Sequence, residues 1–596
     1  MSKPIPDPVE MSALYTRIAE NTQRLIDQYL ARGVAGQVPA LRDDLGVARA
    51  FFESAQHWFD DPARLTALQL QWGQEWWSLW QQTAQQFMGQ AAAPVIEPAV
   101  GDRRFRDPEW TANPAYAHIK QAYLLTARQW QSALGSVAGV DAVTAKKVAF
   151  YTRQAIDAMA PTNFAMTNPE VMRATIDSGG QNLVQGLDNL LADLVQGGDQ
   201  QLRIQMTDTS AFELGRNIAT TPGQVVFQNE LMQLLQYAPS TPKVNSTPLL
   251  IIPPWINKYY ILDLRENNSF VRWAVAQGHT VFVISWVNPD ARLAAKQFED
   301  YLTEGAVAAL DVIQAITGQA QANVIGYCLG GTLLAALLAW LAAREDSRVR
   351  SATFFVSLID FTQPGELDVF IDEQQVAALE QKMADRGYLE GTEMATTFNL
   401  LRANDLIWSF VVSNYLLGKQ PPPFDLLYWN GDSTRMPAAM HTYYLRNMYL
   451  NNRLREPDAL TLAGTPIDVR KIKTPAYFIS AMEDHIAPWA STYRGAQLFS
   501  GPTRFVLGGS GHIAGIINPP AANKYGYWAN AELPADAGDW LNGATQHPGS
   551  WWTDWAEWVK PYSGRQRAAR EPGTDDYPAI EPAPGGYVQR RAQENS

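Results

Sequence analysis

Apolar positions recur three and four apart through the first ~200 residues, the period of an amphipathic helix. Residues 14–33, LYTRIAENTQRLIDQYLARG, carry it first. Residues 51–89, rich in Trp and Gln, and AHIKQAYLLTARQWQSAL at 117–134 carry it again, around a proline-punctuated break at 91–110. From about residue 203 the pattern changes to short apolar runs: TPLLIIPPW (247–255), TVFVISW (280–286), ANVIGY (322–327), RVRSATFFVSLID (348–360), TPAYFIS (474–480) and TRFVLGG (503–509). Helical stretches such as 296–318 lie between them. Continuous apolar strands alternating with helices predict a mostly parallel sheet covered on both faces. The chain therefore divides into a helical N-terminal domain, 1–202, and an α/β domain, 203–596. The interval 361–473 is too long for a plain crossover and reads as an inserted cap. From about 560 the chain is rich in Pro, Gly and charge and reads as an extended, partly mobile tail.

Composition narrows the class. Apolar residues make up 46% and there are 20 Trp, enough for a large core. The net charge of −13 excludes a strongly basic nucleic-acid footprint. A single cysteine can form no intrachain disulfide. The N-terminus lacks the pattern of a secretory signal, so the expected address is the cytoplasm. The longest apolar run, Gly330 to Ala343, is 14 residues; a membrane helix needs about 20, so a buried helix is expected. No metal-ligand pattern or cofactor motif stands out.

That one cysteine sits in Gly326-Tyr327-Cys328-Leu329-Gly330-Gly331, between a strand and an apolar helix. The spacing G-x-nucleophile-x-G belongs to the sharp strand-to-helix turn of α/β-hydrolases, where bulk beside the nucleophile would strike neighbouring backbone. The helix that follows points its positive end at the site, favouring a thiolate and an oxyanion. The Leu329 N–H is one expected oxyanion donor. The second is expected from the loop after an earlier strand, where LLIIPPWINKYY suggests the Ile256 N–H. The plainer reading of Cys328 is a small buried apolar residue.

In this fold the order is nucleophile, acid, histidine. His57, His118 and His279 precede the cysteine, His441 lies in the cap, and His547 trails the last strand. His512, in the loop GGSGHIAG directly after TRFVLGG, fits the base. The acid belongs after TPAYFIS, in Glu483-Asp484-His485. Asp484 is the choice, with Glu483 and Asp360 as competitors and His485 as a neighbour. His512 would take the thiol proton while Asp484 holds its tautomer. A cysteine keeps a transferred acyl group as a reactive thioester. That suits transfer from coenzyme A to a hydroxyl better than hydrolysis.

GYCLGGT, PPWINKYYILDL, FDLLYWNGDSTRMP, EDHIAPW and SGHIAGIINPPAANKYGYW together resemble the polyhydroxyalkanoate synthases, most closely the class I enzymes. The resemblance implies polymerisation of (R)-3-hydroxyacyl-CoA to a storage polyester with release of CoA, Cys328 as acyl carrier, and Asp484 and His512 as its partners. It implies a homodimer at a granule surface, with phasin-type granule proteins as further partners. It also implies that Asp484 helps activate the attacking 3-hydroxyl, and it marks Trp429 and Asp263 as accessory positions. Arg265, Lys258 and Arg446 stand as candidates for CoA phosphates. Two other readings stay open: an intracellular polyester depolymerase or thioesterase, and a granule-coating scaffold. The Trp/Gln-rich helices of 51–89 bear on the second. An ordinary helical domain packing its Trp inward is the favoured reading, with an apolar surface or coat-protein partner as the alternative.

Overall fold

The computed structural model describes residues 46–59, 62–134, 139–197 and 202–590. The helix expected over 14–33 lies outside them. The chain forms two units: Met1–Asp208 with Phe398–Pro422, and Thr209–Thr397 with Pro423–Ser596.

The first unit is helical, as its periodicity predicts. It contains α1 (Val47–Phe59), α2 (Pro62–Phe87), α3 (Pro114–Leu134), α4 (Ala142–Ala158), α5 (Pro169–Ser178) and α6 (Gln181–Gln196). Local chemistry sets the boundaries. The Asp141 carboxylate accepts from the free N–H groups of Val143 and Thr144 at the start of α4, and Asn168 does the same for α5. The inward Trp packing favoured from sequence does not hold for α2. Trp76, Trp77 and Trp80 are 40%, 58% and 60% exposed, and Trp77 stacks on Trp80 at 5.2 Å.

The expected cap is not one piece. Its middle, 398–422, belongs to the helical unit, because polar side chains there hold its backbone. Asn182 Nδ2 donates to the Leu416 carbonyl at 2.8 Å, and Gln154 Nε2 to that of Leu400 at 3.0 Å. Asn414 Nδ2 reaches the Gln205 carbonyl at 2.7 Å, and the Tyr415 hydroxyl donates to Asp193 at 2.6 Å. Contact at Gly186 is so close that a Cβ there would lie 1.8 Å from the Tyr415 carbonyl oxygen.

The second unit is built on an 11-stranded sheet. Its strands are β1 (Gly223–Gln228), β2 (Met232–Tyr237), β3 (Leu249–Ile252), β4 (Val281–Trp286), β5 (Ala322–Tyr327), β6 (Val349–Phe355), β7 (Ala476–Ala481), β8 (Thr503–Gly508), β9 (Tyr527–Ala529), β10 (Thr545–His547) and β11 (Glu581–Pro582). They lie in the order β10-β9-β8-β7-β6-β5-β3-β4-β2-β1-β11. The centre, β4-β3-β5-β6-β7-β8, is parallel, and the strands at both sides pair antiparallel. This is the α/β-hydrolase arrangement expected from the apolar runs. The run Gly330 to Ala343 falls in α7 (Leu329–Ala343), buried from Gly330 to Leu341. Among the described residues no helix is long and apolar enough to cross a membrane.

Through its described residues, to Arg590, the tail is pinned to the second unit. Gln566–Ala568 pairs with Lys243–Asn245, and β11 pairs with β1. The buried Lys258 ammonium donates to the carbonyls of Val588 at 2.9 Å and Arg590 at 2.6 Å. A cation satisfied by two backbone carbonyls offsets part of its desolvation, and here it ties the tail to the loop after β3.

Candidate active site

Cys328 stands between β5 and α7 at φ 52°, a backbone conformation that only a surrounding frame can hold. The glycines permit that frame. A Cβ at Gly330 would lie 2.0 Å from the Ile252 carbonyl oxygen, and one at Gly331 would lie 1.9 Å from Ser357 Oγ. A Cβ at Gly326 would meet the Gly331 Cα at 2.5 Å. The Cys328 amide is fixed by the Phe355 carbonyl at 2.9 Å. The side chain is left partly exposed.

The other two residues come from the ends of the neighbouring parallel strands. The loops after β7 and β8 are stitched together: Met482 N–H donates to Gly508 O at 2.8 Å and Glu483 N–H to Ser510 O at 2.9 Å. That stitching sets His512 Nδ1 2.7 Å from Asp484 Oδ2. The other carboxylate oxygen accepts from the amides of Ile486 (2.8 Å) and Ala487 (2.9 Å), so the buried Asp484 is fully engaged. The indoles of Trp551 and Trp552 hold the histidine loop from below through Gly515 O (3.0 Å) and Ile516 O (2.9 Å).

Burial alone would lower the pKa of His512. The Asp484 carboxylate and the charge and hydrogen bond of the Cys328 sulfur outweigh it and push the imidazole up to about 10. The sign for stability follows. Folding raises this pKa above its unfolded value of 6.5, so the contribution is complete below pH 6.5 and fades as pH climbs toward 10. The unfolding free energies of wild type and His512→Gln should therefore converge between those limits in denaturant titrations. A gap that widens with pH would contradict the assignment.

The competitors fall elsewhere. Glu483 is exposed. Asp360 is committed to Arg455 at 3.0 Å, and to Thr362 and Asn452. His279 and His441 are buried, which lowers both to about 4. His485 is half-buried beside Asp484, its carbonyl against Gly365. Asp263 is buried and accepts from Thr221 and Ser269 hydroxyls, both at 2.6 Å, which fastens the segment after β3. Trp429 is a core residue whose indole donates to the Lys258 carbonyl at 2.7 Å.

None of the basic candidates for CoA phosphates is uncommitted. Lys258 holds the tail, Arg446 is paired with Glu373 and Glu380, and Arg265 lies 3.5 Å from Asp425.

Both expected oxyanion donors are open. Among the described residues, no backbone acceptor is taken by the Leu329 or Ile256 N–H. The loop carrying Ile256 starts where Ile252 and Pro253 press on Gly330.

Sequence reasoning missed three tyrosines at the elbow. Tyr327 lies over the His512 ring, with centroids 6.1 Å apart. Tyr444 bonds Thr332 Oγ1 at 3.2 Å. Tyr449 packs on Phe361 at 5.0 Å, and its phenol is raised by burial, then by Tyr444, then by the charge of Cys328. Tyr444 and Tyr449 come from the cap, more than a hundred residues from the cysteine, and no short motif announces them.

Comparison with known proteins matches two family descriptions. Residues 101–274 match the poly-beta-hydroxybutyrate polymerase (PhaC) N-terminus, and residues 251–519 match the alpha/beta hydrolase fold. A poly(3-hydroxyalkanoate) polymerase of Methylorubrum extorquens is 48% identical over 92% of this chain and 90% of its own. A poly(3-hydroxyalkanoate) polymerase subunit PhaC of Rhizobium meliloti is 45% identical over 99% of this chain and 96% of its own. That of Cupriavidus necator is 46% identical over 89% of each.

Proposed function

The chain belongs to the poly(3-hydroxyalkanoate) polymerases and is an acyl-transferring enzyme that builds polyhydroxyalkanoate, and from that premise we propose that the polymer grows as a thioester on Cys328. The observation that carries this is the chain's only cysteine, set on the strained elbow, its charge acting on a histidine whose Nδ1 lies 2.7 Å from a buried carboxylate.

The reaction proposed uses an (R)-3-hydroxyacyl-CoA. The Cys328 thiolate attacks the thioester carbon. The carbonyl oxygen gains the negative charge, facing the N–H groups of Leu329 and Ile256. The C–S bond to CoA breaks, and the departing thiolate takes the proton held by His512. Acylation removes the thiolate charge, one of the causes that hold His512 high. Its pKa then falls, and the neutral imidazole is free to accept a proton. The 3-hydroxyl of a second unit gives up that proton and attacks the Cys328 thioester, with Asp484 holding the charged ring. The C–S bond to Cys328 breaks as the ester forms, the lengthened chain passes to the second unit's CoA thioester, and Cys328 is acylated again with release of that CoA, so each cycle adds one ester. The cap residues Tyr444 and Tyr449 exclude water, so that the hydroxyl and not water attacks.

Trp429 and Asp263 act as scaffold for the loop after β3. The exposed Trp76, Trp77 and Trp80 support a granule-surface location with phasin-type partners. A homodimer completes the proposal.

The test is incubation with (R)-3-hydroxybutyryl-CoA, following free thiol and product together. CoA release with insoluble polyester is the expected result. CoA release with free acid alone would make the site a thioesterase and remove the role given to the cap.

A further inference from the structure

The loop 253–258 is held almost entirely by its carbonyl oxygens. Trp286 Nε1 donates to Pro253 O at 2.8 Å, and Trp429 Nε1 donates to Lys258 O at 2.7 Å. Between these anchors one residue takes both central carbonyls. Thr434 Oγ1 donates to Trp255 O at 2.5 Å, and Thr434 N–H donates to Ile256 O at 3.3 Å. Thr434 is only 1% exposed, and the neighbouring Asn257 and Ser433 form a single β-bridge.

A peptide unit is planar, and its C=O and following N–H point in opposite directions. Fixing the Trp255 carbonyl on the Thr434 hydroxyl therefore fixes the direction of the Ile256 N–H, turned away from Thr434. That N–H takes no backbone acceptor among the described residues. Without the hydroxyl, this peptide could rotate and present a carbonyl where a donor is needed.

We propose that Thr434 is a positioning residue for the reaction: its hydroxyl locks the Trp255–Ile256 peptide so that the Ile256 N–H faces the oxyanion formed at Cys328. The inference rests on the reading of Ile256 as an oxyanion donor and of Cys328 as the acylated residue.

The single cysteine allows a direct test. Iodoacetamide alkylates Cys328 by displacement of iodide at saturated carbon, a step with no oxyanion. Acylation by (R)-3-hydroxybutyryl-CoA passes through one. Both rates are measured on the full chain, by quenching and mass spectrometry, for wild type, Thr434→Val and Thr434→Ser. Removing an oxyanion donor outright costs about 10²–10³ in rate, so misorienting one should slow acylation by about 30-fold in Thr434→Val. Its alkylation rate should stay at the wild-type value, and Thr434→Ser should acylate within about threefold of wild type. Equal slowing of both reactions, or unchanged acylation, would overturn the proposal. Should Thr434→Val not fold, Thr434→Ala removes the same hydroxyl with less crowding and is read the same way. Wild-type turnover without acyl label on Cys328 is a separate result, one that defeats the thioester reading itself.

Discussion

Cys328→Ala releases no CoA above background and makes no polymer, a fall of at least about 10⁴-fold of the kind seen when a nucleophile is removed from a coupled triad. The variant should fold, because the side chain lost is small and the Cys328 amide keeps its bond to Phe355. Far-ultraviolet circular dichroism matching wild type establishes that. Cys328→Ser separates two roles. A serine can occupy the elbow and be acylated, but its oxygen ester is less reactive than a thioester toward the next hydroxyl. A first release of CoA without sustained elongation is the expected signature. Polymer made by Cys328→Ala at more than a hundredth of the wild-type rate would show that growth does not depend on this atom.

Asp484→Asn should cost about 10³–10⁴ in turnover with little loss of fold, as when a triad histidine is forced into the wrong tautomer. The bonding around Asp484 makes the reason specific. One carboxylate oxygen accepts from the amides of Ile486 and Ala487, and an asparagine keeps its carbonyl oxygen there. Its NH2 then faces His512 Nδ1. Nδ1 must become the acceptor, so the ring proton moves to Nε2, where it blocks proton uptake from the thiol or the hydroxyl. Removing the carboxylate also removes a main cause of the raised imidazole pKa. Residual activity should therefore show a His512 titration at lower pH than wild type. Turnover in Asp484→Asn within tenfold of wild type would point to another acid.

The elbow could be read from sequence because its constraint is local. The glycines at 326, 330 and 331 are each forced by backbone or side-chain atoms a few ångströms away. The choice among Asp484, Glu483 and Asp360 could not be made that way. It depends on the stitching of Glu483 to Ser510 and on Arg455 occupying Asp360, and neither pairing has a sequence signature. The parallel strands were legible as apolar runs. The hairpin of β1 and β2 was not, although β2 is fully buried, because MQLLQY carries two glutamines that read as surface. The split of the cap has the same origin. Asn182 and Asn414 bind backbone carbonyls more than two hundred residues away, and a carbonyl looks alike in every sequence. The outward Trp of α2 and the anchored tail were missed because composition does not say what covers a face.

The two-residue strand β11 closes the β1 side of the sheet with a proline as one of its residues. Proline has no N–H to offer a further strand, and an unprotected edge is a template for pairing between chains. The ladder thus stops at the protein's own tail. At Pro582 that edge has no N–H with which a further strand could continue the sheet. Cutting the chain before Glu581 would uncover β1 and turn a finished border into an open seam, along which colloidal association would begin even where catalysis survived.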